Sequence, residues 1–188
     1  MDARRPISTN GGDWLTKFGE SWNQQIAQVK EKFGAAIEEV RFPATYPTDV
    51  PILYVKKDSI VQVLKFLKED PRCDYSFLAD ITATDEEKDP RFEVVYQLFS
   101  QSHRWRIRLK VRVSEGEEVP TITSLWPGAD WAEREVFDMF GVSFHGHPDL
   151  RRILMDSRWV GYPLRKDYPL KGYQIFTEPE LVDSSRLK

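Results

Sequence analysis

The residues best suited to chemistry cluster in Asp130-Trp131-Ala132-Glu133-Arg134-Glu135-Val136-Phe137-Asp138-Met139-Phe140-Gly141. At about 100° per residue, a helix here sets Arg134, Glu135 and Asp138 on a polar face. Ala132, Val136, Phe137, Met139 and Phe140 form the apolar face, and Glu133 falls inside the apolar arc. Two roles suit Glu133. In the first, Asp130 is an N-cap and Glu133 its capping-box partner in the first turn. In the second, Glu133 is a buried carboxylate with a raised pKa, available as an acid or base. The capping role is favoured. Arg134 and Asp138, four residues apart, read as a surface ion pair.

Two further groups invite a chemical reading. His145-Gly146-His147 offers two nitrogen ligands, but the remaining histidine is His103, and nothing in the spacing supplies a third and fourth donor. A turn shaped by Gly146 and Pro148 is the favoured reading, and no metal site is expected. Residues 104–113 alternate Arg104, Arg106, Arg108, Lys110 and Arg112 with Trp105, Ile107, Leu109, Val111 and Val113. In a strand these are opposite faces, one on the core and one carrying five cations over roughly 26 Å. Cross-strand pairing, with Glu93 a candidate, competes with a nucleic-acid surface over 104–112 and with an acidic protein partner. No Gly-rich phosphate loop, nucleophile elbow or Ser/His/Asp pattern is present, so no catalytic residue is assigned.

These residues need a scaffold, and the chain is long enough to build one. Its 188 residues suit a single domain with an appendage. Lys plus Arg is 27 against 30 Asp plus Glu, so the net charge of −3 argues against a protein basic throughout. The single cysteine, Cys73, excludes an internal disulfide or a four-cysteine metal or cluster site. No signal peptide and no membrane-spanning run is visible.

Residues 1–12 read as a flexible N-terminus. Trp14, Phe18, Trp22, Ile26, Val29 and Phe33 then recur at helical steps, predicting a helix from Asp13 to about Glu39 that Gly34 can divide. Residues 52–55 predict a short strand. A helix capped by Asp58 or Ser59 follows to about Glu69, burying Ile60, Val63, Leu64 and Leu67. Strands are expected over 75–83, 92–100 and 104–113, the last two as an antiparallel hairpin. An exposed polar turn at 85–90 joins the first two, and a short helix is expected after Pro120. The fold class is α+β: a two-layer domain over 13–146, with a mixed, largely antiparallel sheet packed by helices. Residues 147–188 form an extended C-terminal arm, punctuated by Pro148, Pro163, Pro169 and Pro179 and carrying Trp159, Tyr162, Tyr168, Tyr173 and Phe176. Solvated chain seldom carries so many aromatics, so the arm lies on something, either its own domain or a partner.

The stretch from Glu133 through Val142, then Phe144, then Gly146-His147-Pro148-Asp149-Leu150-Arg151-Arg152-Ile153-Leu154, resembles a long family signature. It is similar to the C subunit of the proton-pumping type I NADH:quinone oxidoreductase, respiratory complex I. Tyr162-Pro163-Leu164-Arg165-Lys166-Asp167-Tyr168-Pro169-Leu170 matches that family's Pro-Leu-Arg-Lys-Asp element, and the strongest match covers about 120–173. The resemblance implies a hydrophilic, non-catalytic subunit of the peripheral arm, docked beside the D subunit that helps form the quinone site. It implies no cofactor in this chain, with flavin and iron–sulfur clusters in partner subunits. It also implies indirect membrane association at the cytoplasmic side of a bacterial inner membrane. The related subunit of a membrane-bound nickel–iron hydrogenase is the alternative within the superfamily. A nucleic-acid module using 104–112 is the alternative from another class. A hydrolase using Glu133 and Glu135 ranks last. Arg151, Arg152, Trp159, Tyr162, Arg165, Lys166 and Tyr168 are the candidate partner-binding residues, with carboxylate partners expected on the neighbouring subunit. Asp130, Glu133, Arg134, Glu135, Asp138, Gly141, Gly146, His147 and Pro148 are the structural signature.

Overall fold

The computed structural model describes residues 12–42 and 50–173, with side chains described from residue 23 onward. The expected flexible N-terminus up to residue 11, the side chains of Trp14, Phe18 and Trp22, and Phe176 with the rest of 174–188 lie outside the described residues. Helix α1 spans Gly12–Phe33. A 3-10 turn at Gly34–Ala36 ends it. The chain then enters strand β1, Ile37–Arg41, where the periodicity predicts helix to Glu39. The break falls at the glycine, and β-branched Ile37 and Val40 suit the strand that follows. Strand β2 is Ile52–Val55 and helix α2 is Ile60–Glu69. Ile60, Val63, Leu64 and Leu67 are buried as the pattern predicts, and Phe66 joins them. Ser59 does sit at the N-cap position, but no side chain caps the helix.

Strands β3 (Phe77–Asp85), β4 (Phe92–Ser100) and β5 (Trp105–Val113) carry most of the sheet. The five strands run in the order β1-β2-β5-β4-β3. All neighbours are antiparallel except β2 and β5. The fold is therefore α+β with a mixed, largely antiparallel sheet. Register explains the core. Val94 faces Val111, Tyr96 faces Leu109 and Leu98 faces Ile107, so these side chains share the helix-covered face. Each is at most 2% exposed. Full burial of such a side chain stabilises the fold by about 1.5–3 kcal/mol. Cys73 is buried too; burial raises its thiol pKa to about 11, and it donates to Gln28 Oε1 at 3.2 Å.

Two short strands, β6 (Glu118–Pro120) and β7 (Ser143–His145), form a separate parallel pair. Helix α3, Ala129–Phe140, lies between them in sequence and contacts β3. The helix expected after Pro120 is instead a turn closed by Leu125 and Trp126 N–H groups on the Ile122 carbonyl. Arg104 stands in the β4–β5 turn at φ 55°, outside the strand that the alternation assigned to it.

Candidate functional site

Helix α3 carries two buried carboxylates, and both differ from their expected roles. The helix starts at Ala129 after Gly128, with no side-chain cap, so Asp130 and Glu133 form no capping box. Glu133 lies one turn in and is fully buried. The β6–β7 pair pulls Thr121 onto the helix, its N–H donating to the His145 carbonyl at 2.9 Å. Thr121 Oγ1 donates to Glu133 Oε2 at 2.5 Å, and the Ile122 N–H donates to Oε1 at 2.8 Å. Burial raises the Glu133 pKa, against the pull of those two donors and of His147. The His147 side chain is also buried, with Nε2 3.2 Å from the Asp130 carbonyl and 4.0 Å from Glu133. Its Nδ1 accepts the Asp149 N–H at 3.1 Å. His145, by contrast, is exposed beside Glu118, so the two histidines occupy different environments. Among the described residues no group of three His, Cys, Asp or Glu is arranged to hold a metal ion.

Asp138 is the second buried carboxylate, and its partner is not Arg134. Arg152 Nη1 reaches Asp138 Oδ1 at 2.6 Å. Asp138 Oδ2 accepts the successive N–H groups of Ile153, Leu154 and Met155 at 2.8–3.0 Å. Burial alone would raise the Asp138 pKa, but these donors bring it below the usual carboxylate range. Arg134 turns instead to the carbonyls of Arg151 and Arg152, at 3.1 and 3.3 Å. The polar face drawn from the helical wheel is thus a docking face for the chain's own residues 151–155.

The arm also closes the end of α3. A helix leaves its last four carbonyls without helical partners. Here Gly141 N–H takes the carbonyl of Phe137, and Leu164 N–H that of Met139. Arg152 Nη1 takes the carbonyl of Asp138 at 3.2 Å, and Arg165 Nε that of Phe140 at 2.6 Å. Cations at a helix C-terminus are also favoured by its dipole. Gly141 has φ 77°, and a Cβ there would stand 2.5 Å from the Tyr162 ring. Glycine is therefore required for the turn and for the contact. Arg152 and Arg165 both stand over the Tyr162 ring, at 5.2 and 4.5 Å from its centroid.

A second anchor lies where the sequence predicts an exposed turn. The Asp85 side chain is buried and accepts from Arg91 at 3.0 Å, from the Glu87 N–H at 3.0 Å and from the Lys166 N–H at 3.0 Å. Burial opposes its ionisation, yet Arg91 and the two N–H groups bring its pKa to about 2. Arg91 also pairs with Glu115 and Asp167, each at 2.9 Å. Glu115 in turn accepts from Arg165 at 2.5 Å. The sequence pattern does not single out Asp85, Arg91, Glu115 or Thr121; an Asp ending an alternating strand on its apolar side is the one available signal.

The arm's cations are therefore largely answered within the chain. Arg152 and Arg165 find carboxylates within the chain, Asp138 and Glu115. Arg151 pairs with Asp149 on the surface, and Lys166 is held by its N–H. Trp159, Tyr168 and Tyr173 pack on one another, with Trp159 and Tyr168 centroids 6.4 Å apart and Tyr168 and Tyr173 5.0 Å apart. Glu135 and Pro148 are exposed, and Gly146 turns at φ 79°. What the arm turns outward includes charged side chains such as Arg151, Arg158, Lys166 and Asp167, but also large apolar ones. Among the described residues seven large apolar side chains are well exposed, and Leu154, Val160, Leu164, Leu170 and Tyr173 all belong to the arm.

The cationic strand resolves the same way in part. Lys110 meets Glu93 at 2.6 Å, the expected cross-strand partner. Arg112 meets Glu39 at 2.7 Å and Glu93 at 3.8 Å. A continuous stripe of five open cations does not form.

The Glu133 geometry makes a direct prediction. Glu133→Ala should cost about 1–3 kcal/mol, since the buried Ile122 N–H loses its acceptor. Glu133→Gln should cost less, because its carbonyl can still accept that N–H. The folded-state pKa of Glu133 is raised, so its contribution to stability is full at low pH and is lost as pH rises through that value. Glu133→Gln should therefore gain on wild type as pH rises above the usual glutamate range. Paired urea titrations at pH 4 and pH 7 check this; a Gln variant that loses ground at the higher pH contradicts it.

A two-layer α+β domain, with an arm bolted to its helix end and large apolar side chains exposed along that arm, defines a class: a build suited to one component of a larger assembly. Known proteins bear on which assembly. A family model described as "Respiratory-chain NADH dehydrogenase, 30 Kd subunit" matches residues 53–174. The chain is 47% identical over 152 residues to the NADH-quinone oxidoreductase C subunit of Citrifermentans bemidjiense, covering 80% of this chain and 91% of that one. It is 46% identical over 152 residues to the NADH-quinone oxidoreductase C subunit of Geotalea uraniireducens, covering 80% and 89%. A chain in the structure of the membrane-bound sulfane sulfur reductase, an archaeal respiratory membrane complex, superposes with a TM-score of 0.61 at 25% identity. That match covers 85% of this chain and 97% of that one. The chain belongs to the family of the 30 kDa subunit of respiratory-chain NADH dehydrogenase.

Proposed function

We propose that the chain is the C subunit of a proton-pumping NADH:quinone oxidoreductase, seated in its peripheral arm beside the D subunit and carrying no catalytic residue of its own. The observation that carries the docking role is the concentration of exposed apolar side chains on a segment whose partly buried arginines, Arg152 and Arg165, are already paired within the chain. Such a surface gains by desolvation against a partner without first breaking internal ion pairs. Flavin and iron–sulfur clusters belong to partner subunits in this reading. In support, the one cysteine is buried and hydrogen-bonded to Gln28, which suits neither a cluster nor a thiolate ligand. Membrane association is indirect, at the cytoplasmic side of a bacterial inner membrane; among the described residues no helix is long and apolar enough to cross a membrane. The nucleic-acid reading loses its support where Glu39 and Glu93 neutralise Arg112 and Lys110.

The test is affinity purification through a tag on this chain, from detergent-solubilised native membranes and from cells expressing the chain alone. The membrane preparation should oxidise NADH, reduce quinone and contain flavin and iron, while the lone chain should do none of these and be colourless. A stoichiometric flavin or cluster on the lone chain, or a membrane preparation without NADH oxidation, overturns the reading.

A further inference from the structure

The cationic strand leaves a remainder that the docking arm does not use. Its far end is neutralised by Glu39 and Glu93, but among the described residues Arg104 and Arg106 meet no carboxylate, and both are exposed. Arg106 lies over the Phe99 ring at 5.7 Å, with its charge toward solvent. Next to it is a groove of about 330 Å³ lined in part by Phe77, Asp80, Leu98, Phe99, Arg106 and Arg108. Strand β3 is the last strand of the sheet, and the groove runs from it across β4 to β5. A bulge between Leu78 and Asp80 matters here. It lets Phe77, opposite Phe99, and Asp80, opposite Gln97, turn to the same open face, while Leu78 faces Leu98 on the core side. Phe77 is left 49% exposed in a groove that Arg106 and Arg108 also line. A second groove of about 300 Å³ is lined by every residue from Ser76 to Ile81. Consecutive strand residues point to opposite faces, so a groove that all of them line follows the strand edge.

We infer that the Phe77–Arg106 groove, which begins at the β3 edge, receives an extended acidic segment of a neighbouring subunit, an apolar side chain seated on Phe77 and Phe99 and carboxylates on Arg106 and, in the adjoining β4–β5 turn, on Arg104. This rests on the chain being one component of an assembly, but it names a surface separate from the arm. Charge complementarity selects the occupant. Among the groove's lining residues two arginines, Arg106 and Arg108, stand against one carboxylate, Asp80, which favours a negative partner, and long-range attraction speeds its encounter.

The experiment uses the intact purified complex. A photo-crosslinking residue, p-benzoylphenylalanine, replaces Phe77 in one preparation and Leu170 in another. The Phe77 position should give an adduct to a peptide of another subunit rich in Asp and Glu. The adduct should fall roughly tenfold or more in the Arg104→Glu/Arg106→Glu background, as like charges are brought together. The melting temperature of the lone chain should not change in that background. If the double reversal does not fold, Arg104→Gln/Arg106→Gln is read in its place. No adduct from Phe77, an adduct to a neutral or basic segment, to lipid or to a second copy of this chain, or an adduct indifferent to the charge change, each overturns the proposal. The Leu170 adduct separates the two claims. Its presence with Phe77 silent refutes the groove alone, whereas silence at both positions refutes the assembly reading as well.

Discussion

Asp138→Ala should destabilise the isolated chain by about 3–5 kcal/mol, the range for breaking a buried pair by removing one partner. The change leaves Arg152, four-fifths buried at its side chain, without its carboxylate, and strips the N–H groups of Ile153, Leu154 and Met155 of their acceptor. Asp138→Asn should fall between wild type and Ala, since one amide oxygen can serve some of these donors but not the charge. Guanidinium titration followed by tryptophan fluorescence measures the loss. A shift under about 1 kcal/mol, the value for an ordinary surface ion pair, contradicts the account. The pH dependence has a definite sign. Asp138 and Asp85 both have folded-state pKa values below their usual range, that of Asp85 near 2. Their contribution is full above the usual aspartate value of 3.8 and is lost as pH falls through each lowered folded-state value, near 2 for Asp85. Glu133 contributes with the opposite sign.

Truncation after Leu150 should have an effect at least as large. It removes Arg152 and the three N–H donors from Asp138, and Leu164, Arg165 and Lys166 from the carbonyls of Met139 and Phe140 and from Asp85. Three of the last four α3 carbonyls lose their partners, and Met139 and Phe140, each 7% exposed, lose their cover. A domain of this size is held by roughly 5–15 kcal/mol in total. A loss of about 4 kcal/mol or more should leave the truncated chain protease-sensitive and short of a sharp thermal transition. A truncated chain that melts with wild-type cooperativity and midpoint would mean that the arm is an accessory laid on a finished core.

The parts of the fold written in local periodicity were legible. Alternation in 92–100 and 104–113 marked β4 and β5, and three- and four-residue steps marked α2 and most of α3. Strand β1 was hidden because Ile37 and Val40 continue a helical rhythm, and the competing signal was one glycine. Strands β6 and β7 are three residues each, too short for a period to appear. The polar anchors were hidden for another reason. A capping box joins residues three apart, but Glu133 is held by residues 121 and 122 and Asp138 by residues 152–155. Helical-wheel geometry correctly placed Glu133 among apolar neighbours, and a buried carboxylate then needed donors from elsewhere. For Asp138 the wheel gave a polar face and so a solvated pair, because nothing local announces that fourteen residues later the chain returns to cover it. The arm's aromatics and prolines did indicate that it lies on a surface. Residues 151–173 lie largely on the chain's own domain, and their apolar side chains are what remains for a partner.

The central claim is that the outward apolar face of this bolted arm docks the chain into its respiratory complex. The most direct measurement is co-purification of NADH:quinone oxidoreductase activity through a tag on Leu164→Glu/Leu170→Glu, beside a thermal melt of the same variant alone. Leu164 is 53% exposed and Leu170 fully so, and the contact made by residue 164 with α3 is through its backbone N–H. The account predicts a melt within a degree or two of wild type, a surface change usually costing no more than about 0.5 kcal/mol. It predicts recovered activity at least about tenfold lower, the effect of burying a charge at an interface. Wild-type recovery of the active complex with both glutamates in place would contradict it.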